Sequence, residues 1–180
     1  RFESGRPGPR VTIQALTHGN EVCGAIANDW LLREGGHPVR GTLTLTFANV
    51  EAYRRFDRAD PFASRCVDED FNRLWTAEVL EGPRQTRDLA RARALRPVYD
   101  ATDYLLDLHS MTDPCPPLAL AGRQRKAGAD AGAAIGRAGQ HDRSPKPLGA
   151  LAHTREAQPA EAGPGRVVAV GLQVRRPRLA

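Results

Sequence analysis

Lysine is nearly absent from this 180-residue sequence. Only Lys126 and Lys146 occur, and 15 arginines carry all the basic charge of residues 1–120. Cysteine is scarce too: Cys23, Cys66 and Cys115 are odd in number and share no CxxC spacing. That pattern excludes a disulfide framework or a thiolate zinc site and fits a reducing compartment, so a cytoplasmic location is expected. No apolar run approaches the ~18 residues that a membrane span requires, so no membrane partner is expected. The N-terminus, Arg1-Phe2-Glu3-Ser4-Gly5-Arg6-Pro7, has no apolar segment of the signal-peptide kind. It also has no initiator Met, so a missing start is expected.

Aromatic residues stop at Tyr104: all ten lie between Phe2 and that position. The last sixty residues hold 14 Ala, 9 Gly, 9 Arg and 5 Pro, a composition unlike the rest. Charge divides at the same place. Residues 1–120 set 15 Arg against 17 acidic residues, a net −2, whereas residues 121–180 carry +7. The overall +5 and the pI near 9.6 are therefore properties of the tail. With no aromatic ring to stack on bases and no recognisable binding motif, that tail gives no reason to expect a nucleic-acid partner. The body, with ordinary globular proportions of apolar and charged residues, is one domain's worth of chain.

Alternation and β-branching in Val11–Leu16 predict a strand. Thr17-His18-Gly19-Asn20 then supplies turn chemistry, and residues 21–33 read as a helix burying Val22, Ala25, Ile26, Trp30 and Leu31. Gly41–Asn49, alternating Thr with apolar residues, reads as a second strand. A short helical stretch over 50–56 leads into a polar loop, 57–73, too long for a simple connector. Residues 84–99 read as a helix with Pro97 in its last turn or at a kink. Tyr104–Leu108 is a third strand, ending at His109-Ser110, and Leu118–Gly122 a fourth. Strands separated by helices point to right-handed crossovers and a mainly parallel α/β sheet.

His18 and Glu21 form an H-x-x-E pair where a strand hands over to a helix. Read alone, the pair is equally a helix-capping turn with a favourable acidic residue at the helix start. His109 lies just past another strand's carboxyl end, the edge at which open parallel sheets build their sites. Two His and one Glu brought together there would form the set that holds a catalytic zinc and leaves a fourth position for water. Alternatively, His109 is a lone strand-end histidine bonded to backbone. Asp107 is either a partner that orients an imidazole or a solvated carboxylate. The loop Arg65–Arg73 offers guanidinium and amide donors, suited to gripping a carboxylate or an oxyanion. By itself a charged loop is most often only solvated.

Three motifs now stand in order: Thr17-His18-Gly19-Asn20-Glu21, Arg65 with Asp70-Phe71-Asn72-Arg73, and Asp107-Leu108-His109-Ser110. Together, over roughly residues 10–122, they resemble the succinylglutamate desuccinylase/aspartoacylase family, relatives of the zinc carboxypeptidases. The resemblance implies an α/β fold of zinc carboxypeptidase type, with a mainly parallel or mixed sheet flanked by helices and truncated or disrupted after about residue 122. It implies one Zn2+ per chain, held by His18, Glu21 and His109. Arg65 resembles the residue that polarises the scissile carbonyl, and Asn72 and Arg73 those that hold the substrate's carboxylate. The implied reaction is hydrolysis of a small N-acyl amino acid to a carboxylate and a free amino acid. A zinc carboxypeptidase and a catalytically silent zinc-binding protein are the alternatives. Oligomeric state is not legible.

The family also uses a glutamate on a later strand of apolar-Glu-x-Gly type as general base and then general acid. In Val167-Val168-Ala169-Val170-Gly171-Leu172-Gln173 the frame fits, but Ala169 occupies the Glu position. Arg137-Ala138-Gly139-Gln140-His141 carries Arg137 there, and Glu156 and Glu161 lie in a stretch without strand pattern. The expected organisation is thus residues 1–122 as the N-terminal part of a zinc deacylase catalytic domain, and 123–180 as a tail. That tail is either divergent or poorly ordered in its own right, or translated in a shifted frame beginning after Lys126. Impaired turnover is expected in both cases. Translating the coding DNA beyond codon 123 in the other two frames decides between them. Returning aromatics with an apolar-Glu-x-Gly strand mark a frame change, and their absence marks a divergent tail.

Overall fold

The computed structural model describes residues 1–111 throughout and, beyond them, the backbone of three strands at Leu118–Ala121, Gly139–Gln140 and Ala169–Val174. The rest of the 123–180 tail, with Arg137, Glu156 and Glu161, lies outside the described residues. In chain order the strands are β1 (Phe2–Glu3), β2 (Arg10–Ala15), β3 (Thr42–Phe47), β4 (Tyr104–His109), β5 (Leu118–Ala121), β6 (Gly139–Gln140) and β7 (Ala169–Val174). The helices are α1 (Val22–Glu34), α2 (Val50–Tyr53), α3 (Ala77–Glu81) and α4 (Arg87–Asp100). Within the polar loop, 3-10 turns form at Pro61–Ser64 and Phe71–Arg73, so the expected irregular segment is largely a series of tight turns.

One mixed sheet results, in the order β1-β3-β2-β4-β7-β5-β6. Strand β2 runs parallel to both β3 and β4, and β4 is antiparallel to β7. The β2–β4 register, Gln14 opposite Asp107, brings the carboxyl ends of these two strands to one edge. His18 follows the first and His109 closes the second. The α/β, mixed-sheet expectation thus matches the described architecture.

Helix α4 exists because Thr86 caps it, its hydroxyl accepting from the Leu89 amide at 3.1 Å, and because Leu89, Ala92, Leu95 and Tyr99 fall on one face. That face packs with Phe71, Leu74, Leu80 and Leu105 into the core. Phe71, Trp75 and Tyr99 stack edge-on, with centroids 5.3 and 5.0 Å apart. Because Phe71 is fully buried, the turn that carries Asn72 and Arg73 is anchored to the core.

Helix α1 departs from its expected packing. Ile26 and Trp30 are 65% and 60% exposed, and the line turned inward is Gly24 and Asn28. Gly24 sets the close approach: a Cβ there would lie 2.8 Å from Leu108 Cβ and 3.2 Å from Ala15 Cβ. With the helix drawn in, Asn28 reaches the sheet and donates to the Ile13 and Thr46 carbonyls at 3.3 and 3.1 Å. An apolar-periodicity reading assigns neither residue to the inner face, because one has no side chain and the other is polar. Gly24→Val is therefore expected to cost about 1–3 kcal/mol by overpacking against Leu108. Urea unfolding monitored by tryptophan fluorescence measures it, and a loss below about 0.5 kcal/mol would contradict this packing account.

Candidate functional site

The turn after β2 is made by Leu16, whose φ of 58° places a non-glycine residue in the left-handed region. Its carbonyl accepts from the Asn49 amide at 2.7 Å, and its side chain is buried. This reversal ends the strand and leaves Thr17 and His18 buried just past it. Gly19 then passes so close to the neighbouring loops that a Cβ would lie 2.3 Å from the Ser64 carbonyl oxygen. Its amide donates to the Arg65 carbonyl at 3.0 Å, which ties the first motif to the second.

The structure brings His18, Glu21 and His109 together, with one potential ligand atom from each lying within 4.8 Å of the others. His18 Nδ1 is 2.7 Å from Glu21 Oε1, and His109 Nδ1 is 2.7 Å from Oε2, the latter without the alignment of a hydrogen bond. Each ring's far nitrogen meets a different carboxylate: His109 Nε2 is 2.8 Å from Asp107 Oδ2, and His18 Nε2 is 3.2 Å from Asp70 Oδ1. With the Nε2 proton of His109 donated to Asp107, its Nδ1 lone pair faces a Glu21 carboxylate oxygen in one small buried volume, while His18 Nε2 lies between Asp70 Oδ1 and the Arg65 guanidinium. Acceptors facing acceptors need a cation between them. Two imidazole nitrogens and a carboxylate oxygen form a donor set that suits a metal ion of zinc type.

Charge in this volume is strongly coupled. Burial opposes ionisation of Glu21, yet the two histidines overcome it and hold its pKa down to about 2. Burial likewise opposes protonation of His109, but Asp107 and Glu21 raise its pKa well above the usual histidine range. His18 is raised by Asp70 and Glu21 against burial and the nearby Arg65. Asp70 overcomes its own burial through His18, the Asn72 amide and Arg65, and remains ionised. The site is thus an anionic pocket that recruits positive charge.

Arg65 reaches into the cluster, its Nη1 3.6 Å from Glu21 Oε1 and its Nη2 3.4 Å from Asp70 Oδ2 and 2.9 Å from His18 Nε2. From the solvent side its guanidinium lies over the Phe62 ring, 5.8 Å from the centroid, a contact that no sequence pattern signals. Asn72 Nδ2 is 3.4 Å from His18 Nε2, within the same cluster. Arg73 ends the same 3-10 turn and is half-buried. Asp70 lies inside the second motif, where the sequence assigned it no separate role. Here it both caps the turn, accepting from the Asn72 amide at 2.8 Å, and faces His18.

A further residue that sequence reasoning missed is Asp88, at the start of α4 and 1% exposed. Its oxygens accept from the backbone amides of Val67, Asp68 and Glu69 at 3.3, 2.6 and 3.1 Å, and from Asn49 Nδ2. One carboxylate thus holds the loop between Arg65 and Asp70 in shape. On its outer side Asp68 pairs with Arg87 at 2.6 Å and Glu69 with Arg84 at 3.0 Å.

A sheet edge offering two histidines, a glutamate and an arginine presents a donor set that could hold a metal ion. Comparison with known proteins narrows this. The succinylglutamate desuccinylase/aspartoacylase catalytic domain matches residues 7–140, and the chain belongs to that family. Among solved structures, a glutamate-to-alanine mutant of murine aminoacylase 3 is 28% identical with a TM-score of 0.52, over 68% of this chain and 41% of that one. Murine aminoacylase 3 itself gives 28% and 0.49 over the same shares. A succinylglutamate desuccinylase from Vibrio parahaemolyticus gives 18% and 0.46, over 66% of this chain and 43% of that one. The chain therefore spans about two fifths of the length of these structures. No curated protein matches its sequence. Among the described residues no helix is long and apolar enough to cross a membrane.

Replacing Asp88 by Ala strands three backbone amides, and a cost of about 3 kcal/mol is expected. Urea unfolding would measure that loss, and hydrogen exchange at residues 67–69 should quicken with it. Unchanged exchange there would show that the loop does not depend on this carboxylate.

Proposed function

We infer that the chain carries the zinc site and substrate-binding loop of a deacylase acting on N-acyl amino acids, and that its own turnover is severely impaired. The observation that carries the first half is the convergence of His18 Nδ1, His109 Nδ1 and the Glu21 carboxylate. When bound there, zinc supplies a Lewis acid that polarises a carbonyl and acidifies a water molecule. The residues around it divide the remaining work. Arg65, already beside the cluster, is placed to hold the oxygen of the scissile carbonyl as negative charge grows on it. Asn72 and Arg73, on the turn anchored by Phe71, are the candidate grips for the amino acid's carboxylate. Asp70 and Asp107 orient the two imidazoles from behind.

What supports the second half is register. On β7, Ala169 pairs with His109 of β4, so the strand position next to a metal-ligand candidate carries a methyl group in place of a carboxylate. The rival Gly139–Gln140 segment forms β6, separated from β4 by both β7 and β5. Hydrolysis of an amide needs a group that takes a proton from the attacking water and returns one to the leaving amine. Alanine can do neither. Family membership supports a small N-acyl amino acid as the substrate class.

The purified chain is expected to bind one equivalent of Zn2+, lost in His18→Ala and His109→Ala, and to hydrolyse N-acetyl or N-succinyl amino acids at no more than a trace rate. Ala169→Glu is expected to raise that rate by about 10²-fold. Metal analysis and a ninhydrin assay of released amino acid check both. Efficient hydrolysis by the unaltered chain would refute the impairment, and absence of zinc uptake would refute the metal reading. Cleavage of peptides but not of N-acyl amino acids would assign the site to a carboxypeptidase.

A further inference from the structure

Beneath His109 runs a buried line of hydrogen bonds drawn from β2, α4 and β4. The Tyr99 hydroxyl donates to Gln14 Oε1. That contact fixes the Gln14 amide, whose Nε2 donates to Thr17 Oγ1 at 2.7 Å and to Asp107 Oδ1 at 3.0 Å. Thr17, having accepted one proton, donates its own to Asp107 Oδ1 at 2.7 Å. Asp107 Oδ2 is then left for His109 Nε2 at 2.8 Å. Gln14, Thr17 and Tyr99 are each no more than 3% exposed and Asp107 is 9% exposed, so water does not compete for these partners.

Only one pattern of protons suits this line. A phenol facing an amide oxygen has its hydrogen to give, and a reversed Gln14 amide would turn its oxygen toward Asp107, acceptor against acceptor. A carboxylate that takes two hydrogens on Oδ1 stays an acceptor on Oδ2, and therefore calls for a hydrogen on His109 Nε2. In the neutral imidazole the lone pair is then on Nδ1, which faces Glu21.

We propose that Tyr99 and Gln14 are positioning residues of the metal site, fixing through Asp107 the His109 tautomer that presents Nδ1 to the metal. The assignment rests on the metal reading above. Neither residue touches the cluster itself; both act at a distance through orientation. A purely structural role would change the stability of the fold but leave the folded protein's metal affinity and His109 tautomer alone.

The test uses the full chain and two near-isosteric variants, Tyr99→Phe and Gln14→Met, with Zn2+ as the probe and a competing chelator to read its affinity. Thr17→Ser, which keeps the hydroxyl, serves as the conservative control. Expected are a roughly tenfold weaker Zn2+ affinity in each folded variant and near-wild-type affinity in Thr17→Ser. Long-range 1H–15N spectra of the unaltered protein, recorded at a pH high enough for the His109 ring to be neutral, are expected to show it protonated on Nε2. Affinities within twofold of wild type in both folded variants, or a His109 ring protonated on Nδ1, would overturn the proposal. Should the variants fail to fold, the tautomer in the unaltered protein decides. If the unaltered protein takes up no zinc, the metal reading fails by itself, and the same tautomer measurement still judges the hydrogen-bond line.

Discussion

Glu21, 4% exposed, stands between two imidazoles with each of its oxygens 2.7 Å from a ring nitrogen. A carboxylate is costly to bury unless its charge is met. Much of the surrounding architecture meets that requirement. The parallel register of β2 and β4 sets the two histidines on one edge. The left-handed Leu16 and the glycine at 19 leave the first of them buried just past its strand, and Asp70 and Asp107 close each ring from behind. Positive charge in this volume, from protons or from a metal ion, is what lets the carboxylates remain ionised so far from water.

A second layer works on the loop and not on the cluster. Asp88 gathers three consecutive amides, Phe71 plugs the following turn into the core, and Phe62 backs the Arg65 guanidinium. The loop that carries the candidate substrate groups is therefore held from three sides, by a buried charge, an apolar anchor and an aromatic face. Such support is what a site on a loop requires if its donors are to meet a substrate without reorganising.

How much of this was legible depended on the kind of signal. His18, Glu21 and His109 could be read because close spacing at one strand end and a histidine at another are local facts, which the parallel topology then joins. The extent of α4, expected over 84–99 and found at Arg87–Asp100, could be read as well. The inner face of α1 could not: Gly24 works by absence and Asn28 by reaching carbonyls on two strands, so Ile26 and Trp30 drew the reading to the wrong side. Gln14, Tyr99 and Asp88 were equally silent. A glutamine in an alternating strand looks like a solvated one, and its partner tyrosine lies 85 residues away. Buried polar contacts between distant segments leave no periodic trace in a sequence.

Leu16 carries a consequence for mutational tolerance. Its backbone adopts a conformation that glycine accepts most easily, while its side chain fills space that glycine would leave empty. No single residue type satisfies both demands, since relief of the torsion opens a void and preservation of the packing keeps the strain. The turn that leads to the histidine cluster is therefore sensitive to substitution at a residue that itself supplies no chemistry.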